Sequence, residues 1–333
     1  MKHINEQVES QRFIKNMSGK TKFIVSRNSR DIGLSRQTYQ NKLDGMRDQK
    51  IITNFTININ PNIRPNNLKY VMLEIKTNPK EPDLVKELLE IPQIRMLDGI
   101  IGDFSLFALF IFKSPEEYYQ ILNTIDKIMA KSHFKKYQII ETIKVFKTNG
   151  ISMKDSAVSF DIDDVDYKIL SILRDGQGAK PISTYEISKI FKEQLKIEIS
   201  QSTIHNRIKK LEEQGVILNY TINFNPKKIG FKGKYLLRIK PKDPSKYNDL
   251  AIKLDIYRNI TDLFRIGEQY GLFAIVRVKD IEDYATFIRD LYNSENIEDT
   301  YTNFVLDELI SHTNFIISKS FSPTNVLNQE YFS

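Results

Sequence analysis

Residues 198–226 read EISQSTIHNRIKKLEEQGVILNYTINFNP, and residues 33–61 read GLSRQTYQNKLDGMRDQKIITNFTININP. Laid over each other at a shift of 165 positions, 11 of these 29 residues are identical, Ser35/Ser200, Thr38/Thr203 and Asn41/Asn206 among them. Both stretches close on the run Asn-x-Thr-Ile-Asn-x-Asn-Pro, at Asn54–Pro61 and Asn219–Pro226. Further along, a shift of 166 lays FSLFALFIFKSPEEYYQIL (104–122) on YGLFAIVRVKDIEDYATFI (270–288), matching Leu106/Leu272, Phe107/Phe273 and Ala108/Ala274. The chain is therefore two copies of one unit of roughly 150 residues. The polar stretch KTNGISMKDSAVS at 147–159, with small residues and little periodicity, reads as the linker between them.

The second copy shows the unit's design more plainly. DIDDVDYKILSILR (161–174) sets Val165, Ile169, Ile172 and Leu173 on one helical stripe, with acids in the first turn where the helix dipole favours them. A turn over 175–183 leads through Thr184 to a short helix over 185–192 carrying Ile187, Ile190 and Phe191. Ser200 is a good N-cap for a third helix over 201–214. Ile204, Ile208 and Leu211 form the inner stripe of that helix. Its opposite face carries Ser202, Asn206 and Lys209, flanked by Thr203, His205 and Lys210, and Gly215 stands where a helix ends on a glycine. Residues 216–225 then alternate as a strand. Three short helices, the last with a small-polar and basic outer face, followed by a strand, are the pattern of a winged helix-turn-helix. The chemistry suits double-stranded DNA. Asn pairs bidentately with adenine, Lys and Arg reach guanine or phosphate, and Ser and Thr donate to either.

Past each such segment the pattern changes to strand–helix–strand–strand–helix–strand. The second copy places these elements at 234–240, 245–255, 260–266, 271–279, 281–291 and 300–309. The first places them at 69–76, 83–90, 95–101, 105–112, 115–131 and 137–146. This order is ferredoxin-like. The expected fold class is α+β, with two winged helix-turn-helix domains and two ferredoxin-like domains in tandem. The expected boundaries are 1–66, 67–147, a linker over 148–160, 161–230, 231–317 and a C-terminal tail over 318–333.

Composition narrows the function. The 333 residues are 41% hydrophobic and 27% charged, which is ordinary globular composition. There is no cysteine, so disulfides, thiolate metal sites and a cysteine nucleophile are excluded. The four histidines are scattered singly and write no metal motif, and no cofactor is expected. No apolar run approaches the ~18 residues that cross a bilayer, so a soluble, cytoplasmic protein is expected, nucleoid-associated where the helical segments read DNA. The net charge is +7. Residues 1–66 hold 12 Lys/Arg against 5 Asp/Glu, a net of +7, whereas residues 161–230 hold 11 against 10. The basic excess thus sits in the first helical segment, although Asp44 and Gly45 stand there where the second has Lys209 and Lys210.

The residues IDDVDYKILSIL (162–173), SQSTIHNRIKKLEEQGVILNYTINFNPKKIG (200–230) and the Gly-acid-aromatic turn before Leu-Phe-Ala carry a resemblance to the Lrp/AsnC family of transcription regulators. The resemblance covers most of both halves and is weakest before Gly33. It implies a regulator that reads an operator through its third helices and answers to a small effector such as an amino acid. It also implies a homodimer or higher homo-oligomer. Family members usually carry one unit per chain; by analogy the two effector-type domains here are expected to pack against each other as a built-in pair. The DNA-contacting residues implied are Gln201, Ser202, Thr203, His205, Asn206, Arg207, Lys209 and Lys210 in the second copy and Arg36, Gln37, Gln40, Asn41 and Lys42 in the first. The family's effector turn corresponds to Gly102, Asp103, Phe104 and Ser105 and to Glu268, Gln269, Tyr270 and Gly271, both lacking the second acid of the family pattern.

Two other readings share the pattern. One is an architectural nucleoid protein of low sequence preference. The other is an enzyme resembling the sirohaem decarboxylases, which pair two such units and need histidine and cationic side chains around a polycarboxylate. The stretches 95–112 and 265–279 contain no histidine, and Arg95, Arg265 and Arg277 stand apart in them. A non-enzymatic regulator is therefore the expectation.

Overall fold

The computed structural model describes residues 2–19, 21–78, 81–153, 161–293 and 296–317. The fold is mixed α+β. Three helices open it, α1 (Lys2–Met17), α2 (Val25–Asp31) and α3 (Arg36–Asp48), followed by β1 (Ile52–Ile59). Then come β2 (Lys69–Ile75), α4 (Pro82–Leu89), β3 (Ile94–Ile100), β4 (Leu106–Phe112), α5 (Pro115–Lys131), β5 (Tyr137–Thr148) and the short β6 (Ile151–Ser152). The second copy repeats the order with α6 (Asp164–Asp175), α7 (Thr184–Glu193), α8 (Gln201–Glu213) and β7 (Ile217–Phe224). It continues with β8 (Gly233–Pro241), α9 (Tyr247–Asp255), β9 (Ile260–Ile266), β10 (Leu272–Val278), α10 (Ile281–Tyr292) and β11 (Ile297–Glu308).

Local chemistry sets the element ends. Ser200 and Ser35 accept hydrogen bonds from the backbone N–H of Thr203 and Thr38, each at 3.1 Å, and so cap α8 and α3. Gly215 ends the turn after α8 at φ +70, a conformation glycine adopts at no steric cost. Two starts lie elsewhere than expected. Asp163 and Ser183 are caps closed by reciprocal bonds with Asp166 and Glu186, so α6 begins at Asp164 and α7 at Thr184. The polar N-terminus hides a further element, since α1 buries Phe13, Ile14 and Met17 from a largely hydrophilic helix.

The repeated Asn-x-Thr-Ile-Asn runs find each other. β1 and β7 form an antiparallel ribbon in which Thr56 faces its own counterpart Thr221. Two identical sequences running antiparallel are self-complementary, so the centre of the ribbon is a local twofold between the copies. Side chains of both strands complete each helical core. Ile222 and Phe224 of β7 pack with α1 and α3, and Ile57 of β1 packs with α6, α7 and α8.

The remaining long strands close into a ring. β5, β2, β4 and β3 make one antiparallel half, and β9, β10, β8 and β11 the other. β3 bonds to β11 and β5 to β9, which completes an eight-stranded barrel with no free edge. Helices α4 and α5 cover the outer face of one half and α9 and α10 that of the other. Inside, Tyr70, Met72, Phe107, Leu109, Leu236, Phe264, Phe273 and Ile275 meet between the halves. The built-in pair is thus fused through backbone hydrogen bonds at two seams.

The linker reading of 148–160 needs correction. β5 runs on to Thr148, turns through Asn149 (φ +49) and Gly150 (φ +74), and returns as β6. Asn-Gly with both residues left-handed is the tight turn that matches strand twist. The signal was in the sequence, masked by the polar residues around it. Residues 154–160, and the tail over 318–333, lie outside the described residues. The stretch just before that tail is anchored: Thr313 bonds Phe224, and Phe315 and Ile317 enter the core of the first helical group.

Candidate nucleic-acid interface

Helix α8 buries Ile204, Ile208 and Leu211, which aims the other face outward. Gln201, Ser202, Thr203, His205, Asn206, Lys209 and Lys210 are exposed there. Gln201 bonds Thr184 at 3.1 Å, Ser202 and Thr203 share the Ser200 hydroxyl, and Lys209 reaches Glu213 at 3.7 Å on the surface. His205 and Asn206 have no hydrogen-bond partner among the described residues, so their polar atoms are available to a ligand. Arg207 is different. It is half-buried and pairs with Asp163 at 2.8 Å and with the buried Asp166 at 2.9 Å, which fastens α8 to the start of α6. Its side chain is committed to the fold rather than to the outer face.

Helix α3 shows the same division with different chemistry. Tyr39, Leu43 and Met46 point inward, while Arg36, Gln37, Thr38 and Asn41 are exposed. Gln37 donates to Asn41 at 2.8 Å, and Gln40 to Asp44 at 2.9 Å. Lys42 is held by Glu9 of α1, and Arg47 bonds Asp44. Of the basic residues expected to help on this helix, only Arg36 is free among the described residues. Two further arginines are exposed on α2, Arg30 and Arg27, the latter donating to the carbonyl of Lys22, and the local basic excess was the signal that could have found them.

The two helical groups are tied together and to the barrel. Arg47 donates to the carbonyl of Ala179 in the opposite group, and Phe55 N–H to that of Gly178 at 3.2 Å. Thr56 donates to the carbonyl of Arg174 at 2.8 Å, and Arg95 of β3 lies 3.6 Å from Asp175 at the end of α6. Burial and the nearby Arg174 pull the Arg95 guanidinium down to about 10. The polar faces of α3 and α8 therefore belong to one scaffold, related through the ribbon.

The turns matched to the family's effector loop lie between β3 and β4 and between β9 and β10. Gly102, Asp103, Gln269 and Ile101 are exposed. Ser105 bonds the N–H of Thr77 at 2.8 Å, and Phe104 lies under Lys136. Glu268 accepts from Arg238 at 2.6 Å and Tyr270 donates to Asp299 at 3.1 Å. Gly271 sits at φ +78 beneath Arg265 and Tyr247, where a Cβ would come within 2.2–2.4 Å of both. Two cavities, of about 350 and 310 Å³, lie elsewhere: one between α4 and α5, the other beside Asn62, Tyr70 and Thr142. Arg277, which reads as a lone cation in the sequence, is buried and paired with Glu308 at 2.6 Å. No barrel strand carries a histidine.

Comparison with known proteins adds the family. The Lrp/AsnC ligand binding domain matches residues 235–315. The HTH-type transcriptional regulator FL11 of Pyrococcus furiosus is 35% identical over 145 residues, which are 44% of this chain and 89% of that protein. This chain belongs to the Lrp/AsnC family. A second relative, the HTH-type transcriptional regulator Ptr1 of Methanocaldococcus jannaschii, is 32% identical over 146 residues, again 44% of this chain and 92% of the relative. A nearly whole Lrp/AsnC relative thus accounts for less than half of the chain, as a tandem duplication requires. Among solved structures, the siroheme decarboxylase NirDL covers 96% of this chain and 95% of its own, with a TM-score of 0.59 and 12% identity. That likeness shows a common fold for the whole two-copy Lrp/AsnC chain.

Proposed function

We propose that the protein is a sequence-specific DNA-binding transcription regulator that reads its operator through α8 and α3 and is modulated by a small effector. Residues 1–66 and 161–230 act as winged helix-turn-helix readers, and residues 67–147 and 231–317 as ferredoxin-like effector and pairing domains. The observation that carries this reading is the pair of serine-capped helices, set about the β1–β7 ribbon with polar faces outward, in a chain of the Lrp/AsnC family. His205, Asn206, Lys209, Ser202 and Thr203 make base contacts in the second reader. Arg36, with Arg27 and Arg30 of α2, makes phosphate contacts in the first. The effector is a small molecule such as an amino acid, and the readers work in the cytoplasm as a homodimer or larger assembly. No helix among the described residues is long and apolar enough to cross a membrane.

Selection of a binding motif from random duplexes, followed by binding at several salt concentrations, tests the reading. Specific recognition yields one motif bound at least ~10³-fold above random DNA at physiological salt. Equal affinities favour the architectural role instead. The likeness to the siroheme decarboxylase makes an enzymatic reading worth one control, turnover of a sirohaem-type tetrapyrrole. The buried pairing of Arg238 and Arg277 with carboxylates and the lack of barrel histidines speak against it.

A further inference from the structure

The barrel interior carries charge where a protein core is ordinarily apolar. Strand register shows which positions correspond in its two halves. Phe107 and Phe273 occupy matching places in the Leu-Phe-Ala runs. Phe107 is paired with Glu74 and Asp98 on its neighbouring strands, and Phe273 with Arg238 and Phe264. Likewise Ile111 corresponds to Arg277, and their partners are Tyr70 and Lys234. Hence Glu74 corresponds to Arg238, Asp98 to Phe264, and Tyr70 to Lys234.

Across the barrel, these positions meet one another in pairs. The matching Phe107 and Phe273 rings stack at 5.4 Å, so this region lies at the local twofold. Beside them the matching Glu74 and Arg238 form an ion pair at 2.6 Å. Lys234 bonds Asp98 at 2.6 Å, and the symmetry-related contact is Tyr70 against Phe264 at 5.7 Å. All of these residues are buried, Asp98 at 0% and Lys234 at 3% exposure.

Exchange either half for a second copy of the other and the pattern fails. Two first-copy halves would set Glu74 against Glu74 and leave each Asp98 facing Tyr70. Two second-copy halves would set Arg238 against Arg238 and leave each Lys234 facing Phe264. A buried charge without a partner is strongly destabilising, and like charges add to the cost. Glu268 and Glu308 belong to the second copy and offset part of its own charge, at 2.6 Å from Arg238 and 3.5 Å from Lys234. The bar is therefore highest for the first copy, whose Glu74 and Asp98 are each paired to a second-copy cation.

We propose that these buried charges are a pairing code: a first-copy sheet closes only against a second-copy sheet, its own or that of another chain. The code forbids self-pairing of either half. Any union of two chains through their sheets is then a reciprocal exchange of halves.

The test uses the full chain in a Glu268→Gln background, so that a carboxylate placed at position 238 meets Glu74 across the barrel without the Glu268 of its own copy. Glu74→Arg and Arg238→Glu are made singly on chains with different tags, together in one chain, and as a co-expressed mixture. The code requires each single variant alone to melt at least ~5 °C below the background, or to fail to fold. It requires the chain with both changes, and the two-tag species from the mixture, to return to within ~2 °C of it. Glu74→Gln, which removes charge without reversing it, costs less than Glu74→Arg. Single variants that melt like the background would overturn the proposal. So would a double variant, or a mixture, that melts no higher than the singles.

Discussion

Arg207 and Asn206 are neighbours in sequence with opposite employment. Asn206 projects from α8 with its amide unpartnered among the described residues, whereas Arg207 folds back onto Asp163 and Asp166. Asn206→Ala with Lys209→Ala should weaken binding to the selected motif by about 1–3 kcal/mol per lost base contact and leave thermal stability unchanged. Arg36→Ala should instead weaken all DNA alike and lower the salt slope by about one, measured by titration at several ionic strengths. Arg207→Ala leaves the buried Asp166 carboxylate with only the Asp163 backbone N–H and no cation, and should cost about 1–3 kcal/mol of stability, read by thermal or denaturant unfolding. Glu308 gives a pH signature. Its burial alone would raise the carboxyl, but Arg277 and Lys234 overcome that and hold it down to about 2. A depressed carboxylate contributes stability above its unfolded value and loses it as pH falls through the folded one. The loss therefore falls between about pH 4.5 and 2 and amounts to on the order of 3 kcal/mol. Asp98, raised by burial despite Lys234, works in the opposite sense above its ordinary range. Glu308→Gln should start less stable at neutral pH and lose less through that acid window.

At the level of elements, periodicity served well where one face was covered and poorly where two were. The stripe Ile204, Ile208, Leu211 and the cap Ser200 placed α8 to within one residue, because helix geometry writes itself into spacing. Helix α1 escaped because a short stripe is diluted in a long polar helix whose partners, Ile222 and Phe224, lie far off in the chain. In β8 and β10, Lys234, Arg238 and Arg277 interrupt otherwise apolar runs, and nothing local shows which group each cation will face. Alternation tells which residues share a face, and says nothing about whether a second sheet will cover it. The Asn149–Gly150 hairpin is a smaller case with its own test. Gly150 at φ +74 lies where an added Cβ would stand 3.2–3.3 Å from Ile316. Gly150→Ala should destabilise by about 1–2 kcal/mol, seen as a lower unfolding midpoint.

For the whole molecule, one chain carries two copies of a unit that accounts for most of a relative such as FL11. Its two helical groups are fixed to one ribbon and one barrel but differ in side chains, Lys209 and Lys210 standing where the first has Asp44 and Gly45. The selected motif should therefore be a pseudo-palindrome with unequal halves, and protection of the DNA backbone should be stronger than base specificity over one of them. A perfectly symmetric motif, read from the same selection, would mean that only one reader contacts bases.

Sequence by itself determined the duplication, the order of strands and helices from β2 to β5 and from β8 to β11, the Ser200 cap and the outward polar faces of α3 and α8. These are local properties, fixed by spacing within a turn or a strand, and repetition made them legible twice. The tertiary structure alone decided what those copies do to each other. It paired Thr56 with Thr221, closed eight strands into a ring, and took Arg207 and Arg277 into ion pairs. It also brought Glu74 to Arg238 and Asp98 to Lys234 across the barrel. The reason is physical: a charge shows its sign in the sequence, but its worth depends on the dielectric around it and on the group it faces. Both are set by residues distant in the chain, 31 to 44 positions away for Arg277 and Arg207 and more than a hundred for Glu74 and Asp98.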